Sequence, residues 1–103
     1  ADQLLQVARS ADALELRIDL LASMDPANVA HQVAVVRRST FGTPILYTVR
    51  SKPHGGKFEG SEEQYFELNR LGLQLGSELL DVECTWSKAN IEDLVSRRGY
   101  SLV

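Results

Sequence analysis

Three short segments place charged side chains at alternate positions where a strand would otherwise be apolar. They read Ala13-Leu14-Glu15-Leu16-Arg17-Ile18-Asp19, Ile45-Leu46-Tyr47-Thr48-Val49-Arg50 and Leu79-Leu80-Asp81-Val82-Glu83-Cys84. Successive residues of a strand face opposite ways. Glu15, Arg17 and Asp19 therefore share one face of the first segment, Thr48 and Arg50 one face of the second, and Asp81 and Glu83 one face of the third. If the strands are neighbours, four carboxylates and two guanidiniums gather on one side of one sheet. That is a polar site built on a rigid scaffold. The plain alternative is a buried ion-pair network. Burying charge is expensive unless it is paired, and strongly perturbed charges gathered in a cleft favour a functional use.

The elements that position these residues alternate along the chain. Residues 1–10 carry Leu4, Leu5 and Ala8 at helical spacing and read as a short helix. The first strand is expected at 13–19. Asp25-Pro26 opens a helix with Val29, Val33 and Val36 as its buried stripe, since proline is tolerated at the first helical position. Gly42 and Pro44 lead into the second strand. Ser61-Glu62-Glu63-Gln64 is a capping box, followed by Tyr65, Leu68, Leu71 and Leu75 at helical spacing, with Gly76 as the stop. Ser87 caps a last helix containing Ile91, Leu94 and Val95, which Gly99 ends, and Tyr100-Ser101-Leu102-Val103 reads as the opening of another strand.

Strand-helix alternation predicts an α/β fold with a parallel sheet and right-handed crossovers. A parallel sheet covered on both faces has strands that are apolar throughout. Here one face stays charged, so helices are expected on one face only. A barrel gives that arrangement, with polar residues inside its C-terminal mouth. A whole (β/α)₈ barrel takes about 250 residues, so 103 residues predict half of one: three parallel strands and a strand stub, with residues 1–103 forming a single domain segment.

The totals exclude several classes. The chain is 44% hydrophobic and 24% charged, an ordinary globular balance, and its net charge of -3 gives no overall positive field for nucleic acid or a membrane surface. The pairs Arg37-Arg38 and Arg97-Arg98 fall near helix ends, where cations complement the dipole. Scattered aromatic residues form no stacking platform for single strands. A single cysteine, Cys84, forbids an internal disulfide and suits a reducing compartment. No apolar run approaches the roughly 20 residues of a membrane span, and no signal peptide is visible. Gly55-Gly56 lacks the spacing of a phosphate loop and reads as a flap or simple turn. Cys84 reads as an apolar packing residue, and Trp86 as packing against a neighbouring helix.

The strings Leu14-Glu15-Leu16-Arg17-Ile18-Asp19-Leu20-Leu21, Tyr47-Thr48-Val49-Arg50-Ser51 with Gly55-Gly56-Lys57-Phe58, Glu63-Gln64-Tyr65-Phe66-Glu67-Leu68, and Leu80-Asp81-Val82-Glu83, in this order and spacing, resemble the type I 3-dehydroquinate dehydratase family. The resemblance spans nearly the whole chain. It implies a (β/α)₈ barrel and dehydration of 3-dehydroquinate to 3-dehydroshikimate without metal or cofactor, through a lysine Schiff base and a proton-shuttling histidine. By that resemblance the histidine and lysine lie after Val103, and the barrel's first strand before Ala1. His31, His54, Lys52, Lys57 and Lys88 do not match the pair.

The resemblance does carry over Glu15 and Arg17 as pocket-forming residues of strand two, Arg50 as the strand-three arginine of the substrate network, and Asp81 and Glu83 as the strand-four acids of that network. It implies a small carboxylate ligand such as dehydroquinate or quinate. Two positions depart from many relatives: His54, where Glu or Gln is frequent beside the pocket, and Cys84, where Leu is frequent on the helix-facing side. Two parent functions fit: the dehydratase, free-standing or within the fungal multifunctional enzyme and cytoplasmic, or a dehydroquinase-like fungal quinate repressor, which would be nuclear. The chain alone is expected to be inactive. Its open sheet edges predict a homodimer, and neither nucleic acid nor membrane is expected to bind it.

Overall fold

The computed structural model describes residues 7–9, 13–40 and 42–103. In chain order the elements are β1 (Val7–Arg9), β2 (Leu14–Arg17), α1 (Pro26–Thr40), β3 (Ile45–Thr48), α2 (Glu62–Gln74), β4 (Leu79–Asp81) and α3 (Lys88–Ser96), with short 3-10 turns at Ile18–Leu20 and Lys52–His54. The sheet order is β1-β2-β3-β4. Strands β2, β3 and β4 are parallel, as the alternation predicts, and each crossover is a helix.

Register fixes the two faces. Leu16, Tyr47 and Leu80 are partners across the three strands, as are Leu14 and Ile45. These side chains are buried and pack in one core with Val29, Val33 and Val36 of α1, Tyr65, Phe66 and Leu68 of α2, and Leu94 of α3. On the other face Glu15, Leu46 and Leu79 form one row, and Arg17, Thr48 and Asp81 the next. The second row is wholly polar and lies at the C-terminal ends of the strands. Leu46 and Leu79 are only half-buried, so the helices cover one face of a half-barrel.

Local chemistry accounts for the helices. Pro26 begins α1, and the Asp25 carbonyl accepts from the Val29 N–H at 3.0 Å. Ser61 and Gln64 complete the capping box reciprocally, at 3.1 and 2.8 Å. Gly72 lets α2 settle on β3, because a Cβ there would lie 2.7 Å from the Tyr47 ring. The Tyr47 hydroxyl donates to the Leu68 carbonyl at 2.6 Å and ties the same two elements. Ser87 caps α3 through the Asn90 N–H. The expected terminal strand is present as a parallel bridge between Leu79 and Leu102: the Leu102 N–H donates to the Glu78 carbonyl and the Leu80 N–H to the Leu102 carbonyl.

Three readings need correction. Val7–Arg9 is not helical; it pairs antiparallel with β2, Ala8 opposite Glu15. The rest of the expected 1–10 helix lies outside the described residues. A ten-residue helix is marginal alone, and the β2 edge offers unpaired N–H and C=O groups that a short strand satisfies at once. The first parallel strand is also shorter than expected, ending at Arg17, with Ile18–Leu20 turning in 3-10 form. Cys84 is exposed rather than packed against a helix: β4 ends at Asp81, so strand alternation no longer sets where residue 84 points.

Candidate functional site at the strand ends

The polar residues at the C-terminal ends of β2, β3 and β4 are held by two sets of hydrogen bonds, one through Arg17, Asp19, Arg50 and Asp81 and one between Glu15 and Thr48. Arg17 forks onto Asp19, its Nε donating to Oδ1 at 2.9 Å and its Nη2 to Oδ2 at 2.7 Å. The Asp19 side chain is fully buried, whereas 22% of the Arg17 side chain reaches solvent. Asp19 also accepts the N–H of Arg50 at 3.1 Å and of Lys57 at 3.0 Å. One carboxylate thus joins the end of β2, the end of β3 and the loop that follows β3.

Arg50 leans toward β4, its Nη2 meeting Asp81 Oδ2 at 3.2 Å, with both side chains partly exposed, at 30% and 41%. Glu15, one row lower, accepts the Thr48 hydroxyl at 3.0 Å. Glu83 is placed differently: buried, its Oε2 accepts the Ser51 N–H and its Oε1 the Trp86 indole N–H, both at 3.0 Å. Its own N–H donates to the Tyr65 hydroxyl. Trp86 packs on Tyr65 of α2, ring centroids 4.7 Å apart, in accord with the packing role read from sequence. Of the five sequence-selected residues, Glu15, Arg17, Arg50 and Asp81 therefore present partly exposed side chains on one face, while Glu83 secures the backbone behind them.

The electrostatics follow from these partners. Burial opposes ionisation of Asp19, but the Arg17 fork and the two amide donors outweigh it and hold its carboxyl below the ordinary value. The Arg17 guanidinium is correspondingly pushed upward by its bond to Asp19. Burial raises the Tyr65 phenol to about 12, so it remains a neutral partner for the Glu83 amide.

The loop after β3 is closed on itself. Phe58 returns its N–H to the Arg50 carbonyl, Lys52 donates to the Phe58 carbonyl, and Gly56 and His54 both donate to the Ser51 carbonyl. Gly55 is left-handed at φ 88°, and a Cβ on Gly56 would lie 2.0 Å from the Arg50 carbonyl oxygen. The glycine pair thus makes a tight turn whose Gly56 N–H is already engaged. His54 reaches across to the Thr85 hydroxyl at 3.1 Å, bridging this loop to the one after β4.

Sequence reasoning placed Asp19 on the charged face but did not select it as a site residue. Its signal was the i, i+2, i+4 run Glu15, Arg17, Asp19. A cavity of about 700 Å³ lies elsewhere, on the flank of α2, with a floor of Met24, Phe58, Leu68 and Leu71. None of the five selected residues lines it.

The family model for type I 3-dehydroquinase matches residues 1–102. The chain belongs to the type I 3-dehydroquinase family. Relatives include the pentafunctional AROM polypeptide of Candida tropicalis, 39% identical over the full chain, and that of Malassezia globosa, 45% identical over 89% of the chain. The chain spans only 7% and 6% of those polypeptides. Among solved structures, the dehydroquinate dehydratase and shikimate dehydrogenase of S. pombe AroM superposes with a TM-score of 0.81 at 34% identity, covering 95% of this chain and 20% of that one. The 3-dehydroquinate dehydratase of Enterococcus faecalis superposes with a TM-score of 0.78 at 28% identity, covering 85% and 38%. The fold is therefore a partial type I dehydroquinase barrel. Within this family frame, the polar row lies at the strand ends where barrels of this class carry their ligand sites.

Proposed function

We propose that this chain forms one wall of a dehydroquinase substrate pocket and binds a small hydroxylated carboxylate of the dehydroquinate or quinate type. The observation that carries the reading is the pair of partly exposed guanidiniums, Arg17 and Arg50, held on one face at the strand ends by Asp19 and Asp81. Each arginine is oriented by an acid but keeps some surface for a ligand; the Nε–Nη2 prongs of Arg17 are taken by Asp19, so Arg17 meets a carboxylate through its Nη1 end and Arg50 through the rest of its planar guanidinium. Calorimetric titration with 3-dehydroquinate tests it. Heat of binding in wild type and at least a tenfold loss of affinity in Arg50→Ala are expected. No heat at millimolar ligand overturns it.

The same reading holds that the chain alone does not dehydrate its ligand. Schiff-base chemistry needs an amine facing the substrate, desolvated or otherwise activated. Lys52, Lys57 and Lys88 are exposed and lie on a 3-10 turn, in a loop and at a helix start. Lys52 pairs with Glu59, and Lys88 faces Glu92 at 3.8 Å. Incubation with 3-dehydroquinate is expected to give no conjugated, near-ultraviolet-absorbing product at an enzymatic rate; its appearance would contradict this.

A further inference from the structure

The ligand wall depends on a residue that does not itself face the ligand. We propose that Asp19 is the positioning residue of this site: its carboxylate sets the orientation of Arg17 and the place of the Arg50–Phe58 loop, and so fixes the spacing of the two guanidiniums. The inference rests on the reading of Arg17 and Arg50 as carboxylate-binding groups and goes one step behind it.

Four hydrogen bonds converge on this one side chain. Two come from the Arg17 fork, and two from the backbone N–H groups of Arg50 and Lys57. The Arg50 amide is the hinge from which its side chain departs toward Asp81. The Lys57 amide lies at the far side of the Gly55-Gly56 turn, next to Phe58, whose own N–H returns to the Arg50 carbonyl. Asp19 therefore pins both ends of the loop to the end of β2. A fully buried carboxylate with all these donors aimed at it is a rigid anchor. Held by it, Arg17 gives up rotational freedom before any ligand arrives, which is how preorganised sites reduce the cost of binding.

Neutral asparagine cannot reproduce this arrangement. It has one acceptor oxygen and an NH₂ group, and each Asp19 oxygen accepts one arginine and one backbone donor, so in Asp19→Asn one prong of Arg17 and one backbone N–H both meet another donor. The backbone shape of the loop and the angle of Arg17 should relax, although both guanidiniums remain present.

The test compares 3-dehydroquinate affinity in wild type, Asp19→Asn, Arg50→Ala and Val33→Ala, at a temperature where circular dichroism shows each folded. Val33 lies in the core on α1, so Val33→Ala reports what loss of stability alone does to binding. The expected result is at least a tenfold loss of affinity in Asp19→Asn and near-wild-type affinity in Val33→Ala. Loss in Arg50→Ala with none in Asp19→Asn overturns the positioning role while leaving the site intact. No binding by wild type, or full affinity in Arg50→Ala, sinks the site reading itself and the inference with it.

If Asp19→Asn does not fold, hydrogen exchange in the wild-type protein decides. The Arg50 and Lys57 amides are expected to be protected together and to gain at least threefold further protection when 3-dehydroquinate is added. Exchange of the two at unrelated rates, or without response to ligand, counts against Asp19 as their common anchor.

Discussion

Asp19 ionises inside the fold because its partners are stronger than its desolvation, and this gives the protein an acid limb of known sign. A carboxyl whose folded-state value lies below its unfolded one adds stability that is complete above the unfolded value, near 4, and is lost as pH falls through the folded value. Arg17, Arg50 and Lys57 face it with positive charge or N–H groups, while the negative charge of Glu15 on β2 acts on Arg17. Urea titrations should therefore show wild-type stability falling as pH drops below about 4, with a shallower fall in Asp19→Asn. At neutral pH that variant should be less stable by about 3 kcal/mol, the usual cost of breaking a buried pair. An equal acid slope in both proteins would place the limb elsewhere, Glu78 being next in line because Arg37 and the Ile45 N–H also hold its carboxyl down. The charged face itself was legible from the alternation of Glu15, Arg17 and Asp19, because strand geometry fixes sides. What each carboxylate does was not legible. Asp19 and Glu83 follow the last regular strand residue, and their roles come from amides of Arg50, Ser51 and Lys57 that are distant in sequence.

Elements were readable where a local signal and the tertiary structure agree. The box Ser61-Gln64 begins α2 as its sequence demands, and Ser61→Ala should cost about 1 kcal/mol in chemical denaturation. The second control on α2 is not local. Gly72 sits in the last turn of α2, where glycine is still less favourable than alanine, by up to roughly 1 kcal/mol, yet there is no room for a methyl group between its backbone and the Tyr47 ring. That ring is fully buried and its hydroxyl is tied to the Leu68 carbonyl, so it cannot swing aside. Gly72→Ala should therefore destabilise by about 2 kcal/mol through overpacking, despite the better helix propensity. A gain in thermal stability would show that α2 slides freely on β3. The same competition decides β1. Leu4, Leu5 and Ala8 have helical spacing, but the chain at Val7–Arg9 meets an open edge of β2, and sheet pairing overrides a short amphipathic pattern.

For the molecule as a whole, the half-barrel was legible because strand-helix alternation and a one-sided polar face leave few other architectures; how its sheet edges are satisfied was not. Among the described residues the sheet runs from β1 to the Leu102 bridge. Beyond that bridge no further strand pairs among them, and the apolar side chains there are open: Tyr100 is fully exposed, Leu102 62% and Val103 39%. Half-buried Leu46 and Leu79 continue the apolar surface onto the uncovered face of the sheet. An open strand edge flanked by apolar side chains is a template for another chain, and a second copy supplies the same edge by two-fold symmetry. We propose that these 103 residues by themselves self-associate as a homodimer along this edge. Light scattering at micromolar concentration should give twice the mass of one chain, and Leu102→Lys, which places a charge beside the edge and leaves the Leu102 backbone free to keep its bonds to Glu78 and Leu80, should shift the equilibrium toward monomer. A folded wild-type monomer at that concentration rules the dimer out. A dimer unmoved by Leu102→Lys would instead direct attention to the β1 edge, where Val7–Arg9 is the outermost strand of the described sheet.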